Sequence, residues 1–355
     1  GVSQANITRD NNPYAMDTSR GWTGGVMGGV VFLNNGVDAP QQWVAPANLA
    51  TKLTDLSNWP AGAKCQSLRS FKQFMFAMNY TNPSGTNYPR MLKWSNSSSF
   101  NSVPSTWDET DATQDAGEYE LADTPGDIID GSELRDSFMI YKEDSIWGAQ
   151  FIGPPFIFRF YKISESTGAI NRRCMAEFPN GHFVFGVNDC YINDGQNLTS
   201  VLDQRNRREV FDQLGGGNFS KCFVTPFFIR SEMWACYPSN GSTWANRAVV
   251  WNWRTNAIGF MDLPDVAFIH QGVSPTVAVG GDSPTSGAVD IYVGGNDSAN
   301  SPVVWKGPFS FDPATQEKID CRVTNKYLAF KVVSTTDVSW SLTSYDMKWT
   351  PAGGR

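Results

Sequence analysis

The chain has 355 residues, 41% of them hydrophobic and 13% aromatic, with a formal charge of −7. That apolar content suffices for a large buried core, which excludes disorder, and no run of about 18 apolar residues is present to form a membrane-spanning helix. Two histidines and six cysteines separated by 14 or more positions leave little material for histidine-based catalysis or a thiolate zinc cluster.

Taken in chain order, residues 1–25 are polar, turn-rich and without periodicity, which predicts an extended N-terminal arm. The opening "GVSQANITRDNNP" lacks the basic-then-apolar pattern of a secretory leader, so a soluble protein with buried, reduced cysteines is expected. "GWTGGVMGG" is glycine-rich but lacks the Lys-Ser/Thr pair of a phosphate-binding loop; its glycines are expected to turn the arm into a first strand.

From Val30 onward, short runs rich in Val, Ile, Phe, Tyr and Trp alternate with Gly, Asn, Asp, Ser and Pro clusters, the pattern of strands and turns. The runs come in pairs. "SFKQFMFAMNY" precedes "PRMLKWSN", "DSFMIYKEDS" precedes "IWGAQFIGPPFIFRFYKIS", and "HFVFGVN" precedes "DCYINDG". Farther on, "FVTPFFIRSEMWACYPS" precedes "ANRAVVWNWRTNAIGFMDL", and "VDIYVGGND" precedes "PVVWKGPFSF". Units recur at roughly 35 to 60 residues, often with a tryptophan in the second strand, such as Trp94, Trp251 or Trp305. This loose repetition predicts an all-β chain: a β-propeller of five to seven blades over residues 26–355, with a sandwich or barrel of similar size as the alternative.

Two stretches depart from the β pattern. "APANLATKLTDLSNWP" places Leu49, Leu53 and Leu56 on one helical face and predicts a short helix ending at Pro60. "TSVLDQRNRREVFDQLGGG" predicts a second one over Asp203–Leu214, ended by three glycines, with Arg205, Arg207 and Arg208 outside its apolar face. Between them, Asp108–Asp144 holds thirteen acidic and two basic residues, while the rest of the chain has 22 acids against 26 bases. Such a block, in a region expected to be loop at about 97–135, opposes general nucleic-acid binding, since phosphate contacts need cations. A solvated loop or an acidic channel would each account for Asp108, Glu109, Asp111, Asp115, Glu118 and Glu120.

No stretch assembles a catalytic set. Neither His182 nor His270 has an accompanying nucleophile motif, and "INDGQNLT" offers one carboxylate where a calcium loop spaces several. Glu143 and Asp144 are adjacent, so on a strand they would point to opposite faces, and no glycosidase pair is expected of them. Trp147, Trp234 and Trp244 are candidates for stacking on sugars or for blade cores. "GHFVFGVNDCYINDGQN" reads as a hairpin, strand, tight turn at Asn188-Asp189, strand, then a second turn at Asn193-Asp194-Gly195. No enzymatic activity, cofactor or metal is expected.

Several segments together resemble a family of tailed-bacteriophage virion proteins, the propeller-containing tail nozzle or hub subunits of short-tailed phages. The segments are Val30–Trp43, Ser70–Tyr80, Met91–Asn96, Met139–Phe160, Gly181–Asn197 and Glu232–Phe260, within residues 28 to 265. The resemblance implies a structural tail protein of the virion, made in the host bacterial cytoplasm. It also implies a homo-oligomeric, commonly six-fold ring that meets adaptor and fibre proteins and passes genomic DNA without binding it specifically. A cyclic ring needs two different surfaces per subunit. The candidates for them are the arm Val2–Trp22, with Trp22, the arginine-bearing helix and the loop Ser97–Asp115. The alternative function is a propeller that binds or degrades host glycans during adsorption.

Overall fold

The computed structural model describes residues 7–10, 14–15, 21–44, 51–214, 218–239, 241–269, 289–296, 304–311 and 327–334. They fall in two compact units, Gly1–Gly272 and Val273–Arg355. The chain is nearly all β, with 49% strand and 4% helix, and its fold is propeller-like.

The first unit is built from five consecutive four-stranded antiparallel blades, each a simple meander. Blade 1 comprises β1 (Thr23–Met27), β2 (Val30–Asn34), β3 (Gln41–Trp43) and β4 (Thr54–Asp55). Blade 2 comprises β5 (Lys64–Phe71), β6 (Phe74–Thr81), β7 (Asn87–Trp94) and β8 (Gly117–Glu120). Blade 3 comprises β9 (Ile128–Leu134), β10 (Ser137–Lys142), β11 (Ile146–Phe151) and β12 (Phe158–Ser164). Blade 4 comprises β13 (Met175–Phe178), β14 (Gly181–Phe185), β15 (Cys190–Asn193) and β16 (Leu198–Ser200). Helix α1 (Gln204–Phe211) and a 3-10 turn at Phe219–Lys221 lead into blade 5, formed by β17 (Phe223–Phe227), β18 (Glu232–Tyr237), β19 (Ala245–Asn252) and β20 (Ala257–Val266). In the second unit, β21 (Val289–Asn296) pairs with both β22 (Val304–Phe311) and β23 (Tyr327–Ser334).

Side chains that alternate along each second strand face opposite neighbours, which is why the blades stack. On β10, Phe138 and Ile140 join Phe71, Phe76 and Leu92 of blade 2, whereas Met139 and Tyr141 join Val184 and Tyr191 of blade 4. On β14, Phe183 and Phe185 turn the other way, onto Met233, Ala235 and Trp251 of blade 5. Each such side chain stabilises the stack by about 1.5–3 kcal/mol through burial. The first strands β1, β5 and β9 lie side by side, as do β13 and β17, so first strands are inner and fourth strands outer.

A polar node ties the inner strands. Asp130 of β9 is fully buried and accepts from Ser67 Oγ and the Arg69 guanidinium of β5, while Arg69 Nη1 reaches Gly24 O of β1 at 3.3 Å. Gly28 and Gly29 turn β1 into β2 at φ +56° and +90°, and a Cβ on Gly29 would lie 2.8 Å from Asn101 Oδ1. Substitution there is strained by both backbone and space.

The sequence expectation of a helix at 45–60 is corrected. Residues 45–50 lie outside the described residues, and Thr54–Asp55 form the edge strand β4, paired with Gln41 and Gln42. Leu53 and Leu56 are buried, as a helix would have them, but their amides donate to Ile7 O and Pro40 O. Tertiary hydrogen bonds across the blade override the local helical spacing. The second helix is present, one turn shorter than expected: Asp203 caps it, its carboxylate accepting from Asn206 N at 2.7 Å.

Candidate functional site

The six candidate acids of the block, Asp108 to Glu120, lie on the connection β7–β8 and on the outer strand β8 of blade 2. A cleft of about 510 Å³ opens there, lined by Tyr80, Tyr88, Lys93, Trp107, Asp108, Glu109 and Glu118 among others. Lys93 lies between two buried apolar residues, Leu92 and Trp94, and its side chain is only 4% exposed. Its ammonium pairs with Glu109 and, at 3.1 Å, with Glu118, and sits 5.7 Å from the Tyr80 ring centroid. Burial, aided by Glu109 and Glu118, pushes the Tyr80 hydroxyl up to about 12. With Asp108 on its wall, the cleft keeps a surplus of two negative charges.

The remaining acids have separate duties. Asp115 accepts from Ser97 Oγ at 2.7 Å and its carbonyl from Trp94 Nε1, so it anchors the loop. Glu120 pairs with Arg90 at 3.2 Å. Asp108 and Asp111 are exposed and accept from Thr110 and Thr113 in tight turns, which hold both carboxyls below their ordinary range. Since β8 is an outer strand, the six candidates do not line the axis of the propeller itself.

The three candidate arginines part company. Arg207 Nη2 donates to Asp189 Oδ2 at 2.8 Å and Ser200 Oγ at 3.0 Å, pinning α1 to its own blade. Burial raises the Asp189 carboxyl despite that pairing. Arg205 and Arg208 are exposed and in no ion pair among the described residues. Trp22 is 39% exposed and packs edge-on against Tyr14, 4.9 Å between centroids. The described arm residues lie on blade 1 of the same chain: Arg9 pairs with Asp38 and Asp55, and Ala15 N donates to Asp38 Oδ2.

The other sequence candidates take structural places. His182 is buried, with Nδ1 receiving the Tyr141 hydroxyl and Nε2 donating to Glu133 O, both at 2.9 Å. His270 and Cys321 lie outside the described residues. The other five cysteines are free and buried, and burial pushes the Cys222 thiol up to about 12, far from a nucleophile's range. Trp147 and Trp234 are buried; Trp244 is partly exposed beneath Lys221 Nζ, 4.2 Å from its centroid. Among the described residues no three His, Cys, Asp or Glu side chains are grouped to hold a metal. No described helix is long and apolar enough to cross a membrane. Sequence reasoning missed Lys93, Tyr80 and Trp107; a lysine inside the apolar run "MLKW" was the signal for a buried cation awaiting carboxylates.

One side of the propeller carries exposed apolar turns. In meandering blades, the turns closing strands one–two and three–four emerge together. Contacts run around that side: Asn101 N to Gly28 O, Ser98 N to Gln73 O, Lys72 with Asp136, Arg135 with Asp194 O, and Phe178 with Trp253. Phe100, Phe151, Ile152, Phe156, Phe228 and Ile229 stand out there.

No family model and no curated protein matches the sequence. Among solved structures, the chain is similar to Citrobacter koseri AztD at 10% identity and a TM-score of 0.37, over 68% of this chain and 70% of that one. It is similar to PorZ of Porphyromonas gingivalis at 9% identity and a TM-score of 0.28, covering 70% of this chain and 34% of that one. A Synechocystis apocarotenoid oxygenase mutant matches at 11% identity and a TM-score of 0.31, over 68% of this chain and 59% of the other.

Proposed function

We propose that the chain is a structural subunit of a phage tail, a ring-forming nozzle or hub protein of the virion through whose channel DNA is ejected. The observation that carries this reading is the apolar side of the propeller. Phe100, Phe156 and Ile229 are 78%, 76% and 87% exposed, and all stand on the same side. A protein that worked alone would gain nothing from such a side, whereas a component stacked on another tail protein buries it on assembly. The sequence resemblance supplies the identity of the assembly.

The test is electron microscopy with mass measurement on the purified full chain: a closed ring supports the reading, and a protein that stays monomeric at high concentration sinks it. A second reading, a host-glycan-binding propeller, draws on the cleft, where Tyr88 is 39% exposed beside polar groups. Binding of host polysaccharide, abolished by Tyr88→Ala in a protein that forms no ring, would favour it.

A further inference from the structure

We propose that the ring contact is made by α1 of one copy entering the acidic blade-2 cleft of the next, with Arg205 and Arg208 as the entering cations. The inference rests on the ring reading and names its two complementary surfaces.

The first surface is the exposed side of α1. Arg205 and Arg208 are three residues apart, so they stand one above the other on a helix. Glu209, their neighbour, is engaged by Arg247 at 3.1 Å, and Arg247 also takes Gln213. The two arginines are therefore opposed by Asp212 alone along the groove that they line. Among the described residues neither side chain makes a hydrogen bond or ion pair, in contrast to Arg207.

The second surface is the cleft. Lys93 holds Glu109 and Glu118 in place but offsets only one charge, and Asp108 and Asp111 project from fixed turns beside it. Trp107, 2% exposed, forms the apolar floor of the cleft, its ring edge-on to Trp59 at 4.7 Å between centroids.

The placement suits a cyclic assembly. The cleft belongs to blade 2 and its flanking connections, α1 to the connection between blades 4 and 5, so the two surfaces are different and separate. A head-to-tail contact between unlike surfaces is what generates a ring. Guanidinium groups entering a partly enclosed carboxylate site form directed, charge-assisted hydrogen bonds, whose strength falls with salt at the rim.

The experiment uses the full chain and a charge exchange. Arg205→Glu with Arg208→Glu, and separately Asp108→Arg with Asp111→Arg, place like charges across the contact. Sedimentation velocity at low salt should show each variant associating roughly tenfold more weakly or worse than wild type. All four side chains are exposed, and an unchanged urea transition confirms that each variant folds. Mixed in equal amounts, the two variants should regain assembly, because alternating copies pair opposite charges at every contact. Rings that form from either variant alone as readily as from wild type, or a mixture that fails to recover, would overturn the contact while leaving the ring reading intact. A monomeric wild type would overturn both.

Discussion

His182 joins two blades while staying neutral. Its ring accepts from Tyr141 of β10 and donates to Glu133 O of β9, and Tyr141 in turn receives Asn193 Nδ2 at 2.9 Å. Burial holds its folded-state pKa below the ordinary value, against the pull of Glu177, 4.0 Å away. Below about pH 6.5 the unfolded chain therefore takes up a proton that the folded chain refuses. This contribution to stability is complete above that pH and is lost as pH falls towards the folded pKa. Urea unfolding of wild type and His182→Gln at about pH 7.5 and about pH 5.5 tests the sign: the variant should be less stable by about 1–3 kcal/mol at the higher pH, with a smaller difference at the lower. An undiminished difference would mean that the imidazole is not the titrating group. The hairpin itself was legible, since Asn188, Asp189, Asn193 and Gly195 are turn residues flanking alternating apolar ones. The relay was not, because Glu133 and Tyr141 lie far away in sequence and only blade stacking brings them to the ring.

Among the elements, the inner strands and α1 show where local pattern suffices and where it does not. Paired apolar runs at a loose repeat made the blades readable, because each blade is a local meander. The polar node at Asp130 was invisible inside the acidic block, where it looks like one more surface carboxylate. Asp130→Asn should cost about 2–4 kcal/mol, less than a fully enclosed pair because the Arg69 side chain is 31% exposed. Denaturant unfolding checks this, with Glu120→Gln, whose partner Arg90 is also exposed, changing stability by under about 1 kcal/mol as the contrast. For α1, the triple glycine and Asp203 announced both ends, whereas the stretch at 45–60 has helical leucine spacing and becomes an edge strand through its pairing with β3. Arg207→Ala should release α1 locally. Amide exchange at residues 204–211 is expected to speed up several-fold while β14 and β18 keep their protection. Equal loosening of all three would show that the Asp189 pair holds blades 4 and 5 as well as the helix.

At the scale of the molecule, the most exposed apolar side chains in the described turns of blades 1–5 stand on one side of the propeller. The side that bears the start of each blade is tied together by polar contacts, such as Arg172 reaching Gln66 O at 2.8 Å and Arg173 reaching Ser220 O at 3.1 Å. The opposite side has polar links too, such as Lys72 with Asp136, but it adds turns with exposed rings that are only partly supported, as where Phe228 meets Trp253. Sequence made the candidate charges visible, but that these apolar residues share a side follows only from the meander and its blade order. If that side is covered in the assembled tail, Phe156→Ser with Ile229→Ser should leave the urea transition nearly unchanged, because both side chains stand mostly in solvent in the folded subunit. The same pair should weaken incorporation into tails by an amount that is insensitive to salt, since apolar burial is not screened. The arginine exchange on α1, by contrast, acts through charge and loses its effect as ionic strength rises. Measuring incorporation of both variants at low and high salt separates stacking along the tail from contact around the ring. Identical salt responses would show that one surface serves both.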